Sequence, residues 1–269
     1  MFPGLSRFTA APVTGAFQIF VIFALMQRYA FELSYNGKDF FGWQRQPRQM
    51  SVQEAIETAL FKLNGNKAIP VTGCGRTDTG VHAKHYVLHT DLPESIINDE
   101  LRFKLNRMLP PGIAISKIYE TAPDFHARFD AKSRTYRYFI HHEKDPFNHD
   151  FSLHLPIRPD IDKMNEAAQF LLGKQDFTSF SKLHTDVKTN ICDVTAARWV
   201  APEAGKLYFE ITADRFLRNM VRATVGTLLE TGTGKIAPED MRSILDEKDR
   251  SAAKISVPGH ALFLWEISY

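Results

Sequence analysis

Two strand-like runs, residues 69–73 and 81–90, flank the segment Gly73-Cys74-Gly75-Arg76-Thr77-Asp78-Thr79-Gly80-Val81-His82-Ala83. Its glycines admit positive φ and close backbone approach, so the segment reads as a loop between strands and not as a continued strand or helix. That commits this part of the chain to sheet. It also displays an arginine and an aspartate at a sheet end. Composition alone favours a polar hairpin in which Asp78 and its threonines cap local N–H groups. The Arg76-x-Asp78 pair inside the glycine bracket is what raises a catalytic reading.

The remaining chain alternates sheet and helix signals. An aromatic-rich run at 28–35 predicts a strand, with a turn at Asn36-Gly37. Ser51-Val52-Gln53-Glu54 has the form of a capping box, and Val52, Ile56, Ala59, Leu60 and Leu63 follow at helical spacing until Asn64-Gly65. A second helix is predicted over 95–108, stopped by Pro110-Pro111-Gly112, with extended chain at 113–120. Residues 134–142 form a strand of interleaved basic and aromatic residues. Asp160 caps a helix running to Leu172, with Gly173 beyond its end. A hairpin spans 191–200 and 206–213, a long apolar helix 215–230, and a short helix follows Pro238. Residues 261–269 close the chain as a strand. This order predicts an α+β fold with largely antiparallel sheets. A boundary near Thr121-Ala122-Pro123 separates two halves of similar element order, 28–122 and 123–269. That makes a duplicated ferredoxin-like unit plausible, with no self-similarity visible in the residues themselves.

The chain has 269 residues, 44% hydrophobic and 24% charged, enough for one large or two small cores. A net charge of +2 permits a nucleic-acid partner without demanding one. Cys74 and Cys192 lie too far apart for a CxxC knuckle, and two free thiols suit a reducing cytoplasm. The apolar run Ala16–Met26 is too short to span a bilayer, and no small-residue cleavage site follows it. Residues 1–27 are therefore expected to be an extension outside the fold, with Met26 a candidate start.

Several motifs compete for the loop. Asp78-Thr79-Gly80 matches the aspartic-protease tripeptide, but that chemistry needs a second aspartate sharing the proton, or a symmetric dimer. Gly73-x-Gly75 lacks the third glycine of a dinucleotide fingerprint, and Gly232-Thr233-Gly234-Lys235 lacks the first glycine and the hydroxyl of a P-loop. His82, His85 and His89 would line one face of a helix, but Val87 and Leu88 favour a strand, which makes a zinc site improbable.

Gly75-Arg76-Thr77-Asp78-Thr79-Gly80-Val81-His82-Ala83 resembles the active-site loop of TruA-type tRNA pseudouridine synthases. The resemblance extends to the stretch from Tyr35 to Gln46, to Phe125-His126-Ala127-Arg128-Phe129, and to Arg134-Thr135-Tyr136-Arg137-Tyr138. It continues through Asp176-Phe177-Thr178-Ser179-Phe180 and Met220-Val221-Arg222 with Val225-Gly226. These blocks span about residues 28–269 in one order, which is far more specific than any one of them. Residues 1–27 lie outside the pattern, and Asn36 stands where an aspartate is usual.

The resemblance implies two ferredoxin-like (RRM-like) halves whose sheets meet at a central cleft, with Asp78 on its floor. It implies isomerisation of uridine in the tRNA anticodon stem-loop, at positions 38, 39 and 40, by a homodimer. That reaction needs no redox carrier, so no cofactor and no metal are expected. Asp78 is the expected catalytic carboxylate, able to attack C1′, add to the uracil ring or take the C2′ proton. Arg222 is its expected ion-pair partner. Tyr136 stacks on the uracil and assists proton removal from C5, and Arg76 fills the stack or binds phosphate when the uridine flips out. Phosphate contacts are expected from Arg128, Lys132, Arg134 and Arg137, from Arg215, Arg218 and Arg222 on one helix face, and from Arg102, Lys104 and Arg107. A catalytically silent RNA-binding module would keep those clusters without needing Arg76-x-Asp78.

Overall fold

The computed structural model describes residues 26–182 and 189–269. Of the extension expected over 1–27, residues 1–25 lie outside the described residues. Met26 and Gln27 belong instead to strand β1 (Met26–Tyr35), where they ladder with Pro93 and Leu92.

Local signals account for most elements. Helix α1 (Val52–Leu63) begins as its capping box predicts, with Ser51 Oγ accepting from the Glu54 N–H at 3.1 Å. It turns Val52, Ile56 and Leu60 inward. Of the strand expected over 69–73 only Thr72–Gly73 pairs, as β2, while β3 runs over His82–Pro93. The helix expected over 95–108 is α2 (Leu101–Met108), preceded by a 3-10 turn at Glu94–Ile96. The Asn98 side chain accepts from the Glu100 N–H at 3.0 Å, an Asx turn that interrupts the helical path. β4 (Ile113–Glu120), β5 (Ser133–His141) and a short β6 (Leu153–His154) follow. α3 (Ile161–Gln169) is capped by Asp160, whose carboxylate accepts from the Lys163 N–H at 3.1 Å, and precedes β7 (Gly173–Asp176).

The hairpin of β8 (Ile191–Glu203) and β9 (Lys206–Ala213) turns at Gly205, whose φ is +79°. Helix α4 covers Met220–Gly232 and not 215–230: Asn219 adopts φ +68°, so residues 215–218 form a loop ahead of the helix. Arg215 and Arg218 therefore do not share a helix face with Arg222. α5 (Asp240–Glu247) and β10 (Leu262–Ser268) complete the chain.

The expected two sheets are one. Strands run β4-β1-β3-β10-β5-β9-β8-β7, with β2 on β3 and β6 on β5. β10 joins the halves, lying antiparallel to β5 and parallel to β3 through Phe263↔His82 and Leu264↔Ala83. The last strand of the chain thus covers an edge that each half would otherwise leave open. Two hydrophobic clusters build on this sheet. One gathers α1, α2, β1, β3 and β4, the other α3–α5, β5, β8 and β9. Tyr136 packs against both and sits opposite Leu264 in the ladder. The clusters therefore meet on the sheet face to which Tyr136 points.

Candidate active site

The loop between β2 and β3 crosses from one cluster to the other, with Cys74 in the first and Val81 in the second. Its backbone is pinned at nearly every step. The Cys74 N–H donates to Val87 O at 2.9 Å, and the Trp43 N–H donates to Thr77 O at 3.3 Å. The Tyr86 hydroxyl donates to Gly75 O at 2.5 Å, and the Tyr35 hydroxyl pairs with Thr77 Oγ1 at 2.9 Å. The Val81 N–H closes a turn on Asp78 O at 3.1 Å, helped by Gly80 at φ +76°. Gly42, at φ +84°, brings its backbone so close to Thr77 O that a Cβ would collide with it.

Beneath the loop Trp43 stacks on Tyr86 with centroids 4.2 Å apart, and Tyr35 lies 5.5 Å from Tyr86. The stretch 35–46 is thus the loop's scaffold, a role that sequence reasoning missed, although its aromatic density was a visible signal. His82 was missed too. Its Nδ1 accepts from the Gly37 N–H at 3.0 Å, so Nε2 carries the proton and donates to His260 O at 2.8 Å. Burial lowers its pKa, favouring this neutral, doubly engaged form. One imidazole therefore ties the loop's end to both halves of the chain.

Asp78 emerges from this frame with 27% of its side chain exposed and lies between two guanidinium groups. Arg222 Nη1 stands 3.4 Å from Oδ2, and Arg218 Nε stands 3.8 Å from Oδ1. Arg222, in the first turn of α4, is itself aimed by Val257, whose carbonyl accepts from its Nε at 2.7 Å. The predicted Asp78–Arg222 pair is present but half-buried, and Arg218 joins it from the loop ahead of α4. Tyr136 is half-buried beside them, its ring edge-on to Phe216 at 5.0 Å. Burial raises its phenol pKa, with a smaller contribution from the Asp78 charge, so the hydroxyl stays protonated at neutral pH. The Arg76 side chain is exposed on the crown of the loop.

The other predicted residues separate. The Arg134 guanidinium donates to four carbonyls: Cys74 at 3.2 Å, Arg128 at 2.6 Å, Ala131 at 2.9 Å and Asp214 at 2.7 Å. It joins the root of the Asp78 loop to the segments before β5 and after β9. Arg137 points to the opposite sheet face, paired with Glu210 at 2.7 Å and lying over Trp265 and Tyr208 at 4.2 and 4.8 Å. Alternation along β5 requires this, because Tyr136 takes the other face. Arg128 and Lys132 are exposed near Arg134. Arg102, Lys104 and Arg107 lie on α2, away from this set in the fold, with Lys104 paired to Glu100 at 2.8 Å.

A carboxylate held between two cations, beside a protonated phenol and an exposed arginine, suits attack on or proton transfer at a bound ring. The sequence model of the family described as tRNA pseudouridine synthase matches residues 33–130 and 167–269. A protein of Parabacteroides distasonis named tRNA pseudouridine synthase A is 52% identical over 248 residues, covering 91% of this chain and 96% of its own length. Proteins of the same name from Bacteroides fragilis and Bacillus subtilis are 49% and 42% identical over 245 and 240 residues. They cover 91% and 88% of this chain and 97% of their own lengths. With the family model matching the loop and the start of α4, and a relative 52% identical covering 91% of this chain, the chain belongs to the tRNA pseudouridine synthase family.

Proposed function

We propose that this protein isomerises uridine to pseudouridine in the anticodon stem-loop of tRNA, at positions 38, 39 and 40, with Asp78 as its catalytic carboxylate. The observation that carries the reading is the position of that carboxylate, on a pinned loop between Arg218 and Arg222 and beside Tyr136. In the reaction the N1–C1′ bond breaks and a C5–C1′ bond forms, while C5 loses a proton and N1 gains one. The balance needs no oxidant and no group carrier. Asp78 attacks C1′, adds to the ring or takes the C2′ proton; in each case the two arginines beside it, at 3.4 and 3.8 Å, orient it. Tyr136 stacks on the uracil, and its protonated hydroxyl suits a donor better than a base. Arg76 enters the space that the flipped uridine leaves. Arg128 and Arg218 meet phosphates, whereas Arg134 shapes the site through its four carbonyls.

The two halves, 28–122 and 123–269, are read as ferredoxin-like units. Supporting this, β4-β1-β3-β2 and β10-β5-β9-β8 repeat one strand order with antiparallel neighbours. The proposed assembly is a cytoplasmic homodimer; among the described residues no helix is long and apolar enough to cross a membrane.

The test is nucleotide-resolved mapping of pseudouridine in tRNA incubated with the purified protein. The wild type is expected to mark positions 38–40. Asp78→Asn keeps the shape and removes the charge, so it should bind tRNA through phosphate contacts and leave no product. Substantial product from that variant would remove Asp78 from the chemistry.

A further inference from the structure

His89, His126 and Phe129 form an aromatic ladder that climbs from the sheet to solvent. His89, on β3, is buried, and its Nδ1 accepts from the Ala127 N–H at 3.0 Å. The His126 ring lies 4.7 Å from it, and Phe129 stacks on His126 at 4.2 Å with an interplanar angle of 30°. Among the described residues Phe129 is its outermost rung, 73% exposed.

Hydrogen bonds within the turn itself hold this ring in place. The Phe129 and Asp130 N–H groups donate to His126 O at 3.1 and 3.0 Å. The Arg128 and Phe129 N–H groups reach His126 Nδ1 at 3.2 and 3.3 Å, and the Asp130 carboxylate accepts from the His126 N–H at 2.8 Å. The ring is therefore pre-placed, and ordering it costs little on binding.

Its surroundings select the partner. Arg128 Cζ lies 5.6 Å from the ring centroid, and Lys132 is exposed nearby. Through Arg134 the same turn is bonded to Cys74 O at the root of the catalytic loop and to Asp214 O, next to Arg215. An exposed flat ring beside a guanidinium suits a π-face that carries a phosphate, which is the chemistry of a nucleotide. A protein partner would want a wider apolar patch than one ring supplies.

We propose that Phe129 is a stacking platform for an unpaired nucleobase flanking the uridine on which Asp78 acts. The platform takes the next base as another rung and holds the strand open beside the target. This rests on the proposed pseudouridine synthase activity.

The test uses an anticodon stem-loop RNA with 2-aminopurine at a nucleotide flanking the target uridine, and the variants Phe129→Ala, Phe129→Leu and Phe129→Trp. Stacking is expected to quench the fluorophore with wild type and Phe129→Trp, and not with the Ala or Leu variants. The kcat/KM for tRNA should fall on the order of tenfold in Phe129→Ala and be restored by Trp but not by Leu, with melting temperatures unchanged. Retained quenching and kcat/KM in Phe129→Ala, or full rescue by leucine, would overturn the platform. So would a change in oligomeric mass in Phe129→Ala with quenching intact, which would give the ring to a second copy of the chain. Wild-type protein that quenches through Phe129 yet forms no pseudouridine would overturn the proposed reaction and leave the stacking site standing.

Discussion

At the scale of single residues, the decisive arrangement is one carboxylate between two guanidinium groups. Neither contact is a close bidentate pair: Arg222 stands 3.4 Å away and Arg218 3.8 Å. Asp78 and Arg222 keep 27% and 24% of their side chains exposed, so water shares in stabilising both charges. Arg222→Met should therefore cost only about 1 kcal/mol of folding stability, nearer to an exposed pair than to a buried one. The effect on chemistry should be larger. Arg222 fixes the carboxylate through its own bond to Val257 O, and a small misplacement of a reacting group costs about 100-fold in rate. Arg222→Lys should recover part of the loss, because one ammonium cannot serve Asp78 and Val257 in the geometry of a planar fork. Single-turnover rates measured beside thermal melts check this. A rate equal to wild type in Arg222→Met would take Arg222 out of the site.

Among the elements, strand β3 brings the most chemistry together. It begins with His82 under the Asp78 loop and carries His89 against the turn before β5. Burial lowers the His89 pKa from 6.5 to about 4, and the neighbouring His126 and Arg28 add to the shift. The unfolded chain binds this proton more readily than the folded one. The stability is therefore fully present above pH 6.5 and is lost as pH falls through 4. Over that window His89 should remove about 2–3 kcal/mol, read as a falling melting temperature. His89→Gln should flatten the fall without abolishing it, since the His82 pKa is lowered as well. An unchanged slope in His89→Gln would show that this imidazole does not govern the acid limb. Element ends were the least legible feature. The apolar spacing over 215–230 runs on without a break, yet Asn219 turns left-handed and delays α4 to Met220. Asparagine tolerates that conformation without announcing it.

Across the whole molecule, the continuous sheet couples the halves. β10 belongs by sequence to the second half but also pairs with β3, so unfolding the second half would strip an edge from the first. A single cooperative unfolding transition is expected. Trp43 lies in one hydrophobic cluster and Trp199 in the other, so fluorescence of two single-tryptophan variants reports on each half. Coincident midpoints would confirm the coupling. Separated midpoints would show that the halves unfold independently.

Much of this protein is determined by sequence. Capping residues and apolar spacing set α1 and α3, and the strand signal at β5 holds, because these depend on neighbours three or four residues away. The glycines around Arg76 and Asp78 made the loop legible, since positive φ and close approach are properties of the residue itself. Tertiary structure alone decided the rest. Nothing local says that β10 joins both halves into one sheet, or that Arg218 reaches Asp78 from a loop. Arg134 and Arg137 read as equivalent cations in sequence, yet strand alternation sends them to opposite faces, one to four carbonyls and the other to Glu210. A charged side chain's role follows from the partners that folding places around it, and some of those partners lie 60 or more positions away, as Cys74 does from Arg134 and Asp78 from Arg222.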